Sequence, residues 1–426
     1  MIKVIKNGIV ITMDEKREKR YEKLDIVIKD NIIVELVKNY NKEADLVIDA
    51  NDKIVMPGLI NCHTHLGMSI FRATNDSLEL NDWLTKKIWP IENNMTDEDV
   101  YYSTLLSCLE MIKSGTTCSN DMYFGSLKAI DAIKQTKMRS IFSRCLMDSD
   151  NKGQEKIDEF EQLIEKNKNN ELIKFAVTPH SLYTCSKEYL KECALLAKKY
   201  NIPIHVHFSE NMDEVNGIKD SYKCDPVQAL NEIGFLNNKL ILAHGTFISD
   251  EGLKLLKGKD VSICHNPISN LNLGCGIADI VKYKDYVNIC LGTDGQGSGN
   301  NMNLFYHMSV VDLLQKGNKR DSKVINSYEV LKMATINGAY ALGLDKEIGS
   351  IEVGKKADII ILDTNYYNTY PNVDIITNIV HNTETNNVDT VMINGELLIN
   401  NHQLLLDVNN NNLKDKIDKM LDRLRI

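Results

Sequence analysis

The chain has 426 residues, 43% of them hydrophobic and 26% charged, with a formal net charge of -9. That length exceeds one small core and suits a large α/β barrel with a smaller appended domain. The acidic balance argues against a nucleic-acid-binding surface, and no run approaches the roughly 18 to 20 apolar residues that span a bilayer, so the expected partner is a small molecule.

In chain order, residues 1–56 read as short strands (1–5, 9–12, 25–28, 32–36) divided by polar turns such as 29–31. The same texture returns in 357–362 and 389–399, after the turn-rich stretch 348–354. Residues 1–56 and 346–406 are therefore expected to fold together as one composite β-sandwich. Between them, residues 57–345 alternate apolar runs with helical stretches at 96–114, 156–168 and 187–200, which predicts βα repetition and a parallel sheet. Residues 407–426 predict a short amphipathic helix docked at the C-terminus. The ten cysteines are scattered without a Cys-x-x-Cys pair, and the N-terminus lacks a signal-peptide core, so a cytoplasmic location is expected. Assembly into a homo-oligomer stays open.

The polar residues of the middle region select the kind of sheet. His63 and His65 follow one apolar run, His180 follows 173–179, and His207, His244 and Asp294 each end a run of their own. In a TIM-type (β/α)8 barrel those carboxyl ends converge on one mouth, where chemistry is done. An open doubly wound sheet would instead carry a glycine-rich phosphate loop after its first strand, and neither G-x-G-x-x-G nor a Walker loop occurs.

His63-Thr64-His65 is the sharpest local feature, because alternate residues of a strand share a face and both imidazoles can reach one ion. With His207 and Asp294 they form a candidate set of three histidines and one carboxylate. Such ligands suit one divalent metal ion, with zinc the leading candidate and ferrous iron the alternative, and leave a position for water.

In this order the residues resemble the amidohydrolase superfamily, whose barrel carries ligands at the ends of strands one, five, six and eight. Within it, residues 68–92 are similar to the 5-methylthioadenosine/S-adenosylhomocysteine deaminases. Further matches are Lys113-Ser-Gly-Thr-Thr, Thr178-Pro-His-Ser-Leu-Tyr, His205-Val-His-Phe-Ser-Glu, Ala243-His-Gly, Asn266-Pro-Ile-Ser-Asn-Leu-Asn and Gly292-Thr-Asp-Gly. The resemblance covers nearly the whole chain and implies hydrolytic deamination of an adenine ring to give the inosine derivative and ammonia.

That chemistry needs water activated at neutral pH, which a metal supplies by lowering its pKa from about 15.7 towards about 7. Asp294 would accept the water's proton, and Glu210, three residues beyond His207, would shuttle a proton to the ring nitrogen. The resemblance gives His244 the orienting role beside the metal. It also implies that Glu92 binds the ribose hydroxyls, as a carboxylate can accept two hydrogen bonds from a cis-diol. Arg144 and His180 are implied as further substrate contacts. One departure stands out: where relatives often carry a second arginine after the Arg144 position, this chain offers only Lys152 and Lys156. The homocysteine end of S-adenosylhomocysteine would then be held less firmly, with methylthioadenosine or adenosine little affected.

Other residues have plainer readings. Trp83 reads as packing before it reads as a pocket wall, and His205 as a hydrogen-bonded histidine of the barrel core. His265 reads as structural, Ser298 as either a purine contact or part of a turn, and His307, His381 and His402 receive no role. Three alternatives stand beside the main reading: a guanine-type or triazine-type aminohydrolase, a dinuclear amidase, and an inactive ligand-binding barrel. The dinuclear site would want a bridging lysine where Thr178-Pro-His180 stands. A cytidine-deaminase zinc fold would need a Pro-Cys-x-x-Cys element, which is absent.

Overall fold

The computed structural model describes residues 1–74, 77–124 and 127–426; Asn75 and Asp76, inside the 68–92 motif, lie outside the described residues. Eight strands of the middle region form two four-stranded parallel sheets. The first holds β1 (Leu59–Thr64), β2 (Thr116–Asp121), β3 (Arg139–Phe142) and β4 (Ile173–Phe175). The second holds β5 (Ile204–Phe208), β6 (Leu240–His244), β7 (Val261–His265) and β8 (Asn288–Leu291). β5, β6 and β7 are buried along their whole length, as parallel strands covered on both faces must be.

The two sheets meet at two seams. Between β4 and β5 the contacts are the isolated bridges Val177↔Ile204 and Ser181↔His207. Between β8 and β1, the Asp294 N–H donates to the His63 carbonyl at 3.0 Å and the Thr293 N–H to the Asn61 side chain at 3.0 Å. The expected TIM-type arrangement is present, with single bonds at the seams in place of full ladders.

The predicted helices appear at Asp97–Lys113, Gly153–Asn167, Lys187–Tyr200 and Asn410–Leu424. The first begins at a capping box in which Thr96 and Asp99 each accept the other's backbone N–H. The terminal helix buries Leu413 and Met420, Leu413 clustering with Leu105 and Leu109 of that first helix. Among the described residues no helix is long and apolar enough to cross a membrane.

The two chain ends join in one nine-stranded sheet, in which Ile359–Asp363 pairs with Lys53–Pro57. The composite β domain expected of both chain ends is built on this single branched ladder. The branch lies on strand Ile2–Val10, which pairs with Leu46–Asp49 through residues 3–6 and with Lys53–Pro57 through residues 9 and 10. A register shift between Ile5 and Gly8, with Asn7 at φ 66, turns the strand from one partner to the other. Gly8 is needed there because a Cβ would lie 2.5 Å from the Val55 side chain.

One buried ion pair ties this sheet to the barrel. Arg139 at the start of β3 donates from Nε and Nη2 to the two carboxylate oxygens of Asp358, at 2.7 and 2.9 Å. Both side chains are no more than 2% exposed.

Candidate active site

The carboxyl ends of the barrel strands bring the four candidate ligands together. Asp294 Oδ1 stands 3.0 Å from His65 Nε2 and 3.5 Å from His63 Nε2, and His207 Nε2 is 3.3 Å from His65 Nε2. Each imidazole is anchored through its other nitrogen. His63 Nδ1 meets His205 Nε2 at 2.9 Å, His207 Nδ1 meets the His180 carbonyl at 2.8 Å, and His65 Nδ1 is bonded to the Met122 carbonyl. Asp294 is fixed by hydroxyls, accepting at Oδ2 from Ser269 at 2.6 Å and Ser298 at 3.0 Å. Ser298 thus serves the turn and the carboxylate together.

Whether these donors fit a metal can be judged from their own geometry. Two ligands about 2.05 Å from a tetrahedral zinc stand roughly 3.3 to 3.4 Å apart, and the three spacings above bracket that value. His63 Nε2 is buried and has no hydrogen-bond partner, an orphan that a cation would satisfy. Burial pushes His63 down to about 3 and His207 well below its ordinary value, so both are neutral, as ligands must be. Burial would lower His65 too, but the bond to Asp294 and its charge outweigh that and carry it up to about 9. That shared proton is the one a divalent cation displaces. His205, read from sequence as a core histidine, hydrogen-bonds a ligand candidate directly.

Beside this cluster lie Glu210 and His244. His244 Nδ1 is 2.8 Å from Asn270 Oδ1 and 3.7 Å from Glu210 Oε1, while its Nε2 is buried without a partner. Burial raises the Glu210 carboxyl. His244 at φ 72 and Asp294 at φ 61 hold left-handed backbone conformations, a strain that the surrounding packing enforces.

Glu214 completes this corner. Its two carboxylate oxygens accept the Ser209 N–H at 2.9 Å and the Glu210 N–H at 2.7 Å, and so clamp the loop that presents Glu210. Neither Asn270 nor Glu214 was singled out from sequence. Asn270 lies inside the quoted Asn266–Asn272 motif, while Glu214, in the first turn of helix Met212–Tyr222, offered no signal beyond its charge.

A cavity of about 610 Å³, partly open to solvent, rises from His65, His207 and Asp294. Leu80, Trp83, Leu84, Ile88 and Phe124 give it an apolar wall, and Glu210, His244 and His180 face it. Trp83 is buried, its indole N–H unpartnered, so it both packs and lines the cavity. Glu92 also lines it and accepts a hydrogen bond from Tyr123 Oη at 2.7 Å; burial pushes this carboxyl up to about 7, the Tyr123 bond opposing. His180 Nδ1 reaches Thr184 Oγ1 at 3.0 Å, and burial lowers the ring to about 4, so it is neutral. Arg144 is set apart from the others: it borders an adjoining outer chamber, and its Nε donates to Glu159 at 2.9 Å.

The amidohydrolase family model matches residues 54–398, which include the whole barrel and every residue of the cluster. The chain belongs to the amidohydrolase family. It is 40% identical over 407 residues to the 5-methylthioadenosine/S-adenosylhomocysteine deaminase of Thermoanaerobacter pseudethanolicus, covering 94% of each chain. To the 5'-deoxyadenosine deaminase of Methanococcus aeolicus it is 38% identical over 412 residues, covering 94% of this chain and 95% of that one. Among solved structures of the family's fold, the zinc-bound adenosine deaminase of Xanthomonas campestris superposes with a TM-score of 0.94. The identity there is 29%, with 99% of this chain and 98% of the other covered.

Proposed function

We propose that this chain is an aminohydrolase that deaminates the adenine ring of adenosine-type nucleosides, with one divalent cation, zinc by preference, held by His63, His65, His207 and Asp294. The observation that carries the reading is Glu210, a buried carboxyl with a raised pKa 3.7 Å from Nδ1 of His244, whose Nε2 is unpartnered, both residues facing the cavity above the ligand set. Relatives named for adenosine derivatives support it across nearly the whole chain. The triazine hydrolase and guanine deaminase structures that superpose on this chain are 22 and 23% identical to it, which speaks for the fold alone.

A cation in this ligand set supplies Lewis acidity, bringing water's pKa from about 15.7 towards about 7. The residues do the rest. His244 and Asp294 orient the attacking water through nitrogen and carboxylate lone pairs, and Asp294 takes its proton. Glu210, whose carboxyl burial shifts upward, gives a proton to the ring nitrogen, so no charge accumulates on the heterocycle as the new C–O bond forms. The C–N bond then breaks: the amino group leaves as ammonia with the proton that Asp294 took from water, and the new hydroxyl gives its proton back to Glu210 as it becomes the C=O, which restores both carboxyls. Glu92 accepts the ribose hydroxyls, His180 borders the nucleoside, and the apolar wall from Leu80 to Ile88 excludes solvent. The barrel, residues 57–345, does the chemistry, and the sheet of both chain ends supports it. The ten free cysteines suit a cytoplasmic enzyme.

The test is ultraviolet conversion of adenine to hypoxanthine on adenosine, methylthioadenosine, free adenine and guanine. Turnover of the nucleosides but not the free bases is expected. Turnover of guanine alone would give the activity to the aminopurine class.

A further inference from the structure

Beyond Trp89, Glu92, Tyr123 and Phe124, which line the inner cavity, an outer chamber continues to Arg144 and Lys156. If the reacting carbon of the purine sits at the ligand set and Glu92 holds the ribose hydroxyls, the 5′ substituent extends into this chamber. The relatives' names cover 5′ groups of opposite character, a methylthio or a bare 5′-deoxy carbon on one side and an amino acid on the other. The chamber's charges bear on which of them this chain takes.

Its two lining cations are both engaged. Lys156 Nζ donates to the Met147 carbonyl at 2.8 Å and to both oxygens of Asp150 at 2.9 Å, which accounts for all three of its N–H donors. Arg144 is only 15% exposed, and its Nε is given to Glu159. Lys152, the remaining cation of the stretch, is exposed and does not line the chamber. Against these cations stand Glu92, Asp97 and Asp150 in the lining and Glu159 behind Arg144, so the carboxylates outnumber the cations. A substrate carboxylate entering here meets an acidic field: it must displace Asp150 to use Lys156, and at Arg144 it meets a guanidinium already paired through Nε with Glu159.

We propose that Asp150 and Glu159 are specificity-determining residues: they occupy the chamber's two cations, so the enzyme favours nucleosides with an uncharged 5′ substituent over those whose 5′ tail ends in a carboxylate. The proposal rests on the nucleoside reading above. Both carboxylates are at least half exposed, at 50% and 57%, and their neutral amides keep an oxygen that can accept from Lys156 and Arg144, so the variant is compared with wild type as the folded protein, checked by its thermal unfolding.

The experiment compares kcat/KM for 5′-deoxyadenosine, methylthioadenosine, S-adenosylhomocysteine and its decarboxylated 3-aminopropylthio analogue, in wild type and in the Asp150→Asn/Glu159→Gln double variant. Wild type is expected to use S-adenosylhomocysteine about tenfold less well than methylthioadenosine, and the double variant to raise that ratio about tenfold, the scale of one charged hydrogen bond. The aminopropylthio analogue, which keeps the ammonium but lacks the carboxylate, is expected to outpace S-adenosylhomocysteine on wild type. A wild-type ratio of one or more, a ratio unmoved in the double variant, or an analogue as poor as S-adenosylhomocysteine overturns the proposal while leaving the deaminase reading in place. Failure to deaminate any of the four overturns both.

Discussion

The Nδ1 of His244 lies 2.8 Å from the Oδ1 of Asn270, whose own amide nitrogen reaches Thr246 Oγ1 at 3.2 Å. The Thr246 contact orients the Asn270 amide, and the amide oxygen commits the imidazole proton to Nδ1. His244 Nε2 is left as a lone-pair nitrogen, buried and without a partner beside the metal ligands. Asn270→Leu keeps the branched shape of the side chain and removes that instruction. The expected loss in kcat is about 10- to 100-fold, with metal content unchanged, and steady-state kinetics beside metal analysis would measure both.

Glu92, as the proposed ribose contact, should make substrate binding depend on pH. Burial has pushed its carboxyl up to about 7 from an ordinary 4.5. Only the carboxylate accepts both ribose hydroxyls, so KM is expected to fall as pH rises through about 7. Glu92→Gln should abolish that limb of the profile. The same shift acts on stability with the opposite sense: the folded state holds this proton more tightly than the unfolded one, so the contribution is full below 4.5 and is lost as pH climbs towards 7.

Glu214 acts on Glu210 through the backbone. In Glu214→Gln one of the two clamped N–H groups at Ser209 and Glu210 faces an amide NH2 in place of an oxygen. Displacement of the Glu210 loop should lower kcat by about tenfold to a hundredfold, with little change in KM. Glu214→Asp, which keeps the charge on a shorter arm, should recover part of the loss.

The difference between the candidate metal ligands and these supporting residues explains what could be read in advance. His63, His65, His207 and Asp294 declare themselves locally, by the period of two within a strand and by their places at the ends of apolar runs. Asn270 and Glu214 have no such mark, because their meaning lies in partners on other elements and their residue types are ordinary at the start of a helix. Arg144 shows the same limit: its place at a strand end suits an ion pair and a substrate contact equally, and only the fold shows that Glu159, fifteen residues on in the helix Gly153–Asn167, holds its Nε. The joining of the chain ends was legible from their alternating strands. The branching of Ile2–Val10 between two partners was not, since it turns on a shift at Asn7 and Gly8 that alternation does not encode.

The link between the barrel and that sheet carries its own prediction. Arg139→Met leaves Asp358 buried and facing no cation, which should cost about 3 to 5 kcal/mol of stability in a denaturant titration. Turnover per folded molecule should stay near wild type, because neither residue borders the cavity.

The central claim is that Glu210 supplies the proton for a hydrolytic deamination above the ligand set. It is tested most directly by single-turnover conversion of methylthioadenosine in metal-loaded wild type and Glu210→Gln, with bound metal and substrate affinity measured on the same samples. Equal metal content, similar affinity and a chemical step at least about 100-fold slower in the variant are expected. A variant that keeps its metal and deaminates methylthioadenosine at the wild-type rate would contradict it.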